Sequence, residues 1–312
     1  MRLAFMGTPT FVIPVLDALI RADGVEVVGV YTPPDRPSGR GRSASVPPVK
    51  GHALAVGLPV YQPATLRSAR AQAQLAALNP DIILVAAYGK LLPPEVLKTP
   101  PHGCLNLHPS LLPRHRGPSP VATAILEGDA VTGVTLMLLD EGMDTGPIIA
   151  QREHPLSPTD TAETLTADLF QLGVTLLKNL GPWVSGQLAA RPQEEAKATT
   201  THKLERAHGE ARWELSAMAL ERHRRAYTPW PGLFTHWEGK VLKLLDVVSL
   251  PAEAGPSPEP GQVVLLPLKD VAIGVGTGQG ILGLKALQLE GRRPVTGDEF
   301  RRGYPRFIGA RL

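Results

Sequence analysis

The sequence predicts an α/β protein: a mostly parallel sheet covered by helices in its first half, followed by a smaller β-rich module. Two observations carry this expectation. Before Ala189, short and nearly unbroken apolar runs alternate with longer segments of helical period, the pattern of a parallel sheet buried on both faces. After Lys240, four short β-like runs follow one another, punctuated by Gly and Pro, as in a small barrel. A chain of 312 residues that is 43% hydrophobic can build two domains, each with a core.

Leu3-Ala4-Phe5-Met6 reads as the first buried strand, and Gly7-Thr8-Pro9 turns the chain. Thr8 is placed to cap a helix with Pro9 in its first turn, and Phe11, Val15 and Leu19 then recur on one face. Pro14 fits only if that helix starts late or bends. Glu26–Tyr31 and Asp81–Ala87 are the second and third strands, and Leu105-Asn106-Leu107-His108 is the C-terminal end of the next. Thr132–Leu139 and Ile148–Arg152 are two more. Asp160 and Glu163 have capping-box spacing before a stripe of Leu165, Leu169, Leu172, Leu176 and Leu180 that reads as core packing. Ala189–Thr201 is polar, ends in three threonines and reads as a linker. A helix follows over Leu215–Ala226 and stops before Pro229-Trp230-Pro231. The β-like runs are Lys240–Val248, Gln262–Leu266, Val271–Val275 and Ile281–Leu289, and the Pro-rich stretch Pro251–Pro260 reads as a loop.

The composition excludes several classes of protein. A single cysteine, Cys104, allows no intrachain disulfide, and it reads as a small apolar residue of a buried strand. No apolar run reaches the roughly 18 residues of a membrane span. A strand beginning at Leu3 leaves no room for a signal or transit peptide, so a soluble cytoplasmic protein with no membrane partner is expected. The net charge of +3 identifies no partner alone, but residues 201–312 hold 16 Lys and Arg against 12 Asp and Glu, and residues 1–200 hold 16 against 17. The surplus lies in the last third.

Asn106 and His108 carry the chemistry. Two residues apart on a strand, they share a face, and ligand chemistry in open α/β sheets gathers at strand C-termini. Asp144 follows in Asp140-Glu141-Gly142-Met143-Asp144-Thr145-Gly146. A carboxamide can donate to a developing oxyanion, an imidazole can shuttle a proton near neutral pH, and a carboxylate can orient that imidazole or hold a proton-carrying water. This is the equipment for moving an acyl carbon onto an amine. Gly7-Thr8-Pro9 lacks the full glycine fingerprint of a dinucleotide site, and no Walker lysine motif occurs. No second His or carboxylate falls at usual ligand spacing, so no metal is expected.

These segments resemble, from end to end of the chain, the folate-dependent formyltransferase family, and within it the members that act on methionyl-tRNA. The resemblance rests on Gly7-Thr8-Pro9, Pro34 through Gly41, Ala87-Tyr88-Gly89, Asn106 through Gly117, Asp140 through Gly146, and Ala226 through Pro231. It implies a Rossmann-like catalytic domain over 1–189, a linker over 190–208 and an OB-like barrel over 209–312. It also implies 10-formyltetrahydrofolate as formyl donor and initiator methionyl-tRNA as acceptor; a monomer is expected. In the implied mechanism Asn106 and protonated His108 stabilise a tetrahedral oxyanion. Asp144 pairs with His108 and helps a water relay the amine proton to the leaving folate nitrogen. The folate contacts implied are Ser110, Leu111, Leu112 and Pro113, with Tyr88, Gly89, Leu92, Asp140, Glu141 and Gly142 lining the pterin pocket. The alternative for the Leu111 and Leu112 side chains is a place in the core.

The resemblance also assigns tRNA contacts. Arg36, Arg40 and Arg42 lie in a Pro/Gly-rich loop, and Arg40 would meet the end base pair of the acceptor stem. Arg222, Arg224, Arg225, Lys240 and Lys243 form a basic set on the second module, suited to an RNA backbone. Trp230 and Trp237 could stack bases, although packing is the simpler reading. Two rival readings stand beside this one: a formyltransferase acting on a small amine, either a glycinamide ribotide or an amino-sugar nucleotide, which would keep the same triad, and an RNA-binding module with a decayed catalytic domain. The residues after 200 argue against the ribotide, the Arg40 loop against the amino sugar, and the intact triad against decay.

Overall fold

The apolar runs of the first half form a seven-stranded sheet in the computed structural model, which describes residues 1–38, 43–251 and 258–312. Its elements in chain order begin with β1 (Arg2–Gly7), α1 (Ile13–Arg21), β2 (Glu26–Tyr31), a hairpin of β3 (Arg36–Ser38) and β4 (Ser43–Ser45), and α2 (Pro48–Ala55). They continue with β5 (Val60–Tyr61), α3 (Ala69–Ala77), β6 (Ile82–Ala86), α4 (Pro94–Leu97), β7 (Cys104–His108) and α5 (Pro120–Glu127). The first half closes with β8 (Val131–Leu138), β9 (Ile148–Pro155), α6 (Ala162–Gly173) and α7 (Leu180–Val184). The strand order is β5-β2-β1-β6-β7-β8-β9. Pairing is parallel from β5 through β7, and antiparallel for β8 and β9.

Alternation along these strands sends successive side chains to opposite faces. Leu3, Phe5, Leu84, Leu105 and Leu107 pack with Val15, Leu16 and Leu19 of α1 and with Phe170, Leu176 and Leu180. Ala4, Met6, Ile83, Val85 and Cys104 face the other way, onto Leu75 of α3 and Val96 of α4. Cys104 is buried, which pushes its thiol pKa up to about 12 and keeps it neutral.

Two expected helix starts are corrected. Thr8 caps nothing: its hydroxyl donates to the Tyr88 carbonyl at 3.1 Å. Thr10–Val12 forms a 3₁₀ turn, and α1 starts at Ile13 with Pro14 in its first turn, where no N–H is required. Asp160 and Glu163 form no capping box. Because α6 starts at Ala162, Thr161 takes the capping position and its Oγ1 accepts from Thr164 N at 3.2 Å, while the Asp160 carboxylate accepts from Ser157 N at 2.7 Å.

The chain falls into two compact units, one of Met1–Pro120, Val131–Pro155 and Leu165–Thr201, the other of Val121–Ala130, Leu156–Thr164 and His202–Leu312. The second unit contains α8 (Ala217–Ala226), whose N-cap Ser216 accepts from Ala219 N at 3.1 Å. Then come β10 (Phe234–Trp237), β11 (Lys240–Leu250), β12 (Val263–Leu268), β13 (Val271–Gly276), β14 (Ile281–Leu289), β15 (Val295–Thr296) and α9 (Gly297–Gly303). The four expected β-runs are β11 to β14. They lie with β10 in the order β10-β11-β14-β13-β12, with β15 on β14, and every ladder is antiparallel. The unexpected β10 joins β11 through Glu238-Gly239, both at positive φ (+48° and +73°), the conformation of a two-residue hairpin.

Trp237 is buried edge-on against Phe300 and Phe307, with ring centroids 5.9 and 5.1 Å away, so packing is its role. Trp230 is 54% exposed and does not belong to this core. Truncating Phe300 to Ala removes the ring at the centre of the cluster. We expect destabilisation of about 3–5 kcal/mol, read from the urea midpoint followed by tryptophan fluorescence.

Candidate active site

The carboxyl ends of β1, β6 and β7 converge where the chain changes direction across the sheet: β1 leads to β2 on one side, and β6 adds on the other. Ligands of open α/β sheets bind at such a point. Thr8 after β1 and Tyr88 after β6 are tied there by the Thr8 hydroxyl. On β7, Asn106 pairs in register with Val85 and Met137, and His108 with Thr135. The face that holds Cys104 in the core therefore turns from apolar to polar within four residues. Asn106 is half-buried, and among the described residues its carboxamide has no hydrogen-bond partner.

His108 is 4% exposed, and both ring nitrogens face polar groups. Nε2 lies 2.9 Å from the His115 carbonyl oxygen. A carbonyl only accepts, so Nε2 carries a hydrogen and Nδ1 is the nitrogen left for chemistry. Nδ1 faces the Asp144 carboxylate at 3.6 Å. The same carboxylate oxygen accepts from Gly117 N at 2.8 Å. Gly117 has φ +105°, and a Cβ there would meet Thr201 O at 2.9 Å, so only glycine lets this N–H reach Asp144. Asp144 itself has φ +55°, a left-handed conformation that Asp tolerates better than most residues. The structure thus brings His108 and Asp144 together and places Asn106 on the same strand face.

The turn after β7 is built from the inside. Ser110 Oγ donates to Arg114 O at 2.7 Å, and Thr135 Oγ1 donates to Ser110 O at 2.6 Å. Thr135 Oγ1 also accepts from Leu112 N at 3.2 Å, and Gln151 Nε2 donates to Leu112 O at 2.9 Å. The Ser110 and Leu112 side chains are buried, and Leu112 packs on Met137 and Ile148. Leu111 and Pro113 are half-buried. Tyr88 is also a core side chain, with burial raising its phenol pKa to about 12, so its segment presents backbone to the sheet end. Gly89 has φ +77°, and Leu92 packs partly on the same cluster. Asp140 organises its own loop, accepting from Gly142 N at 3.0 Å and Thr145 Oγ1 at 2.8 Å, and Glu141 is exposed. A Cβ on Gly146 would collide with Leu138 O, which fixes glycine at that loop end.

Sequence reasoning missed the residues of 191–201. This segment pairs with the site loops instead of hanging free. Ile148 and Arg191 exchange backbone hydrogen bonds of 2.7 and 2.8 Å. His115 N donates to Thr199 Oγ1 at 2.8 Å, Arg116 N to Thr199 O at 2.8 Å, and Thr201 N to Arg116 O at 2.7 Å. The Arg116 side chain is 6% exposed and binds Glu195 through two nitrogens, at 2.7 and 3.0 Å. That guanidinium lowers the pKa of the Glu195 carboxyl by hydrogen bonding first and by charge second. Arg116 Nε donates to Gln193 Oε1 at 2.9 Å, and Gln193 Nε2 donates to Asp144 O at 2.8 Å and to Gly146 O at 2.7 Å.

The basic residues divide. Arg36 lies on β3, opposite Ser45, while Arg40 and Arg42 fall outside the described residues. The root of that hairpin is fixed by Asp35, whose carboxylate accepts from Lys50 at 2.7 Å and from Gln62 at 2.8 Å. In the second unit Lys240 and Lys243 are exposed, Arg222 is half-buried, and Arg224 lies 3.4 Å from Asp246. Lys243, Arg224, Arg206 and Trp230 help line a cavity of about 400 Å³. Arg225 is different from the expected surface charge. It is 7% exposed, its Nε donates to Glu221 at 2.8 Å and its Nη1 to Asp160 O at 3.2 Å, so it holds the unit together.

Comparison with known proteins shows the family of the chain. A family model described as "Formyl transferase" matches residues 1–179, and one described as "Formyl transferase, C-terminal domain" matches residues 203–305. The methionyl-tRNA formyltransferase of Roseiflexus sp. (strain RS-1) is 46% identical, with 100% of this chain and 95% of that protein covered. That of Chloroflexus aggregans (strain MD-66 / DSM 9485) is 46% identical, with 97% of each chain covered. Among solved structures, HypX from Aquifex aeolicus in complex with tetrahydrofolic acid superposes with a TM-score of 0.64 at 21% identity, covering 98% of this chain and 47% of that one. The chain therefore spans about half of HypX, and that likeness is one of fold.

Proposed function

The chain belongs to the formyl transferase family, and we propose that it moves a formyl group from 10-formyltetrahydrofolate to the α-amine of initiator methionyl-tRNA. One observation carries the chemistry: a buried imidazole whose Nδ1 faces a carboxylate at 3.6 Å, on the same strand face as a carboxamide that has no hydrogen-bond partner among the described residues. The folate co-substrate supplies the formyl carbon. Asn106 donates to the formyl oxygen as negative charge develops there. His108, anchored through Nε2, presents Nδ1 to the same region. Asp144 balances the charge on His108 and, through a water, carries the proton that the attacking amine gives up to the folate nitrogen that leaves. One proton is lost by the amine and one is gained by the leaving nitrogen, so no oxidant, reductant or metal is required.

The folate contacts follow from which atoms the loops expose. Leu111 and Pro113 offer apolar surface, and the backbones of Tyr88, Gly89 and 140–142 offer donors and acceptors for a flat heterocycle, with Leu92 at the edge. Catalysis is assigned to the first 189 residues and to the segment running on to Thr201, and RNA binding to an OB-like second module. Arg36, Arg40, Arg42, Arg222, Arg224, Lys240 and Lys243 are the phosphate contacts of this reading. It is supported by the basic surplus of residues 201–312 and by the cationic cavity beside the exposed Trp230. Among the described residues no helix is long and apolar enough to cross a membrane. The enzyme works in this reading as a cytoplasmic monomer.

The test offers labelled 10-formyltetrahydrofolate with methionyl-tRNA, free methionine or an amino-sugar nucleotide. Label should appear on the charged tRNA alone. Label on the sugar nucleotide would overturn the assignment of the acceptor while leaving the donor intact.

A further inference from the structure

We propose that Gln193 is a positioning residue for formyl transfer, acting through Asp144; this rests on the catalytic role given to Asp144. Three observations converge on it. First, Asp144 sits at φ +55°, a sparsely populated backbone state that persists only where its surroundings hold it. Second, both Gln193 amide hydrogens are used on that loop, one on the Asp144 carbonyl at 2.8 Å and one on the Gly146 carbonyl at 2.7 Å. Third, the amide cannot turn over. Its oxygen accepts from Arg116 Nε at 2.9 Å, and that guanidinium is locked by its two bonds to Glu195. A guanidinium only donates and a carbonyl only accepts, so a single amide orientation satisfies all three bonds.

The Asp144 carboxylate is therefore set from two sides: the Gly117 N–H grips its Oδ2, and Gln193 grips the backbone on which it stands. Gln193 touches no reacting atom. It fixes the distance between a carboxylate and a ring nitrogen that stand 3.6 Å apart, and with it how well that carboxylate balances charge on His108.

Two variants remove the bonds in different ways. Gln193→Met keeps the length of the side chain and deletes both donors, and Gln193→Ala removes the amide altogether. Each should lower kcat by about ten- to a hundredfold with little change in KM for either substrate, the size expected of misplacing one catalytic group. The decisive measurement is the combination with Asp144→Asn. If Gln193 acts through the carboxylate, adding Gln193→Met to Asp144→Asn should lower kcat by less than about twofold further. A wild-type kcat in both single variants, or a full additional loss in the double variant, overturns the proposal. A wild-type kcat in Asp144→Asn alone instead overturns the assigned role of Asp144, so the two failures are separable. A variant too unstable to assay is replaced by the other, and melting temperatures show which variants are folded.

Discussion

Replacing Asn106 with Ala should lower kcat by about a hundred- to a thousandfold, the usual effect of deleting one preorganised oxyanion donor. Asn106 stands on β7, held between Val85 and Met137, so its direction is set by two backbone ladders rather than by a loop. Its amide has no partner among the described residues, so the variant breaks no side-chain hydrogen bond to them. The melting temperature should stay within a degree or two, because a half-buried side chain with nothing to lose contributes little. Binding of the formyl donor, measured by fluorescence titration, should be nearly unchanged, since the hydrogen bond strengthens only as the oxygen gains charge. A kcat within tenfold of wild type would mean that the oxyanion is held elsewhere.

Asp144→Asn should be at least as damaging, lowering kcat by roughly a hundredfold to ten-thousandfold, the span of positioned acid–base groups. This substitution is cleaner than Ala. Asn tolerates the left-handed backbone of residue 144, and its carbonyl oxygen can still accept from Gly117 N. Only the negative charge opposite His108 Nδ1 disappears. A folded, donor-binding protein that has lost turnover is the expected outcome, with melting temperature and turnover measured on the same sample. A large fall in melting temperature would assign the residue to loop stability instead.

Much of this site could be read in the sequence because its period is local. Asn106 and His108 are two residues apart on a strand, and alternation alone puts them on one face. Strand direction is not contained in such a pattern: the runs that became β8 and β9 were legible as strands, yet nothing in their composition says that they run against β7. The late start of α1 was legible from Pro14, while Thr8 was misassigned because its acceptor lies 80 residues ahead. Arg225 looked like one of three arginines on a solvated helix end. Only the fold brings Glu221 and the Asp160 carbonyl to it. Gln193 was the least legible of all, since Asp144 is 49 residues away and Arg116 is 77. A polar stretch of Gln, Glu and Thr has the composition of a tether. The one sequence clue to its docking is that a buried arginine such as Arg116 needs an acid somewhere.

The hydrogen bonds of residues 191–201 set a limit on how this polypeptide can be divided. A chain ending at Ala189 keeps every strand of the large sheet, but it strips the caps from Ile148, His115 and Arg116 and leaves the Asp144 loop without its brace. A chain ending at Thr201 keeps them all. Trypsin should therefore cut sooner at Arg114 and Arg116 in the shorter fragment. The compact unit that holds Asn106, His108 and Asp144 therefore runs on to Thr201, past β9, the last strand of its sheet.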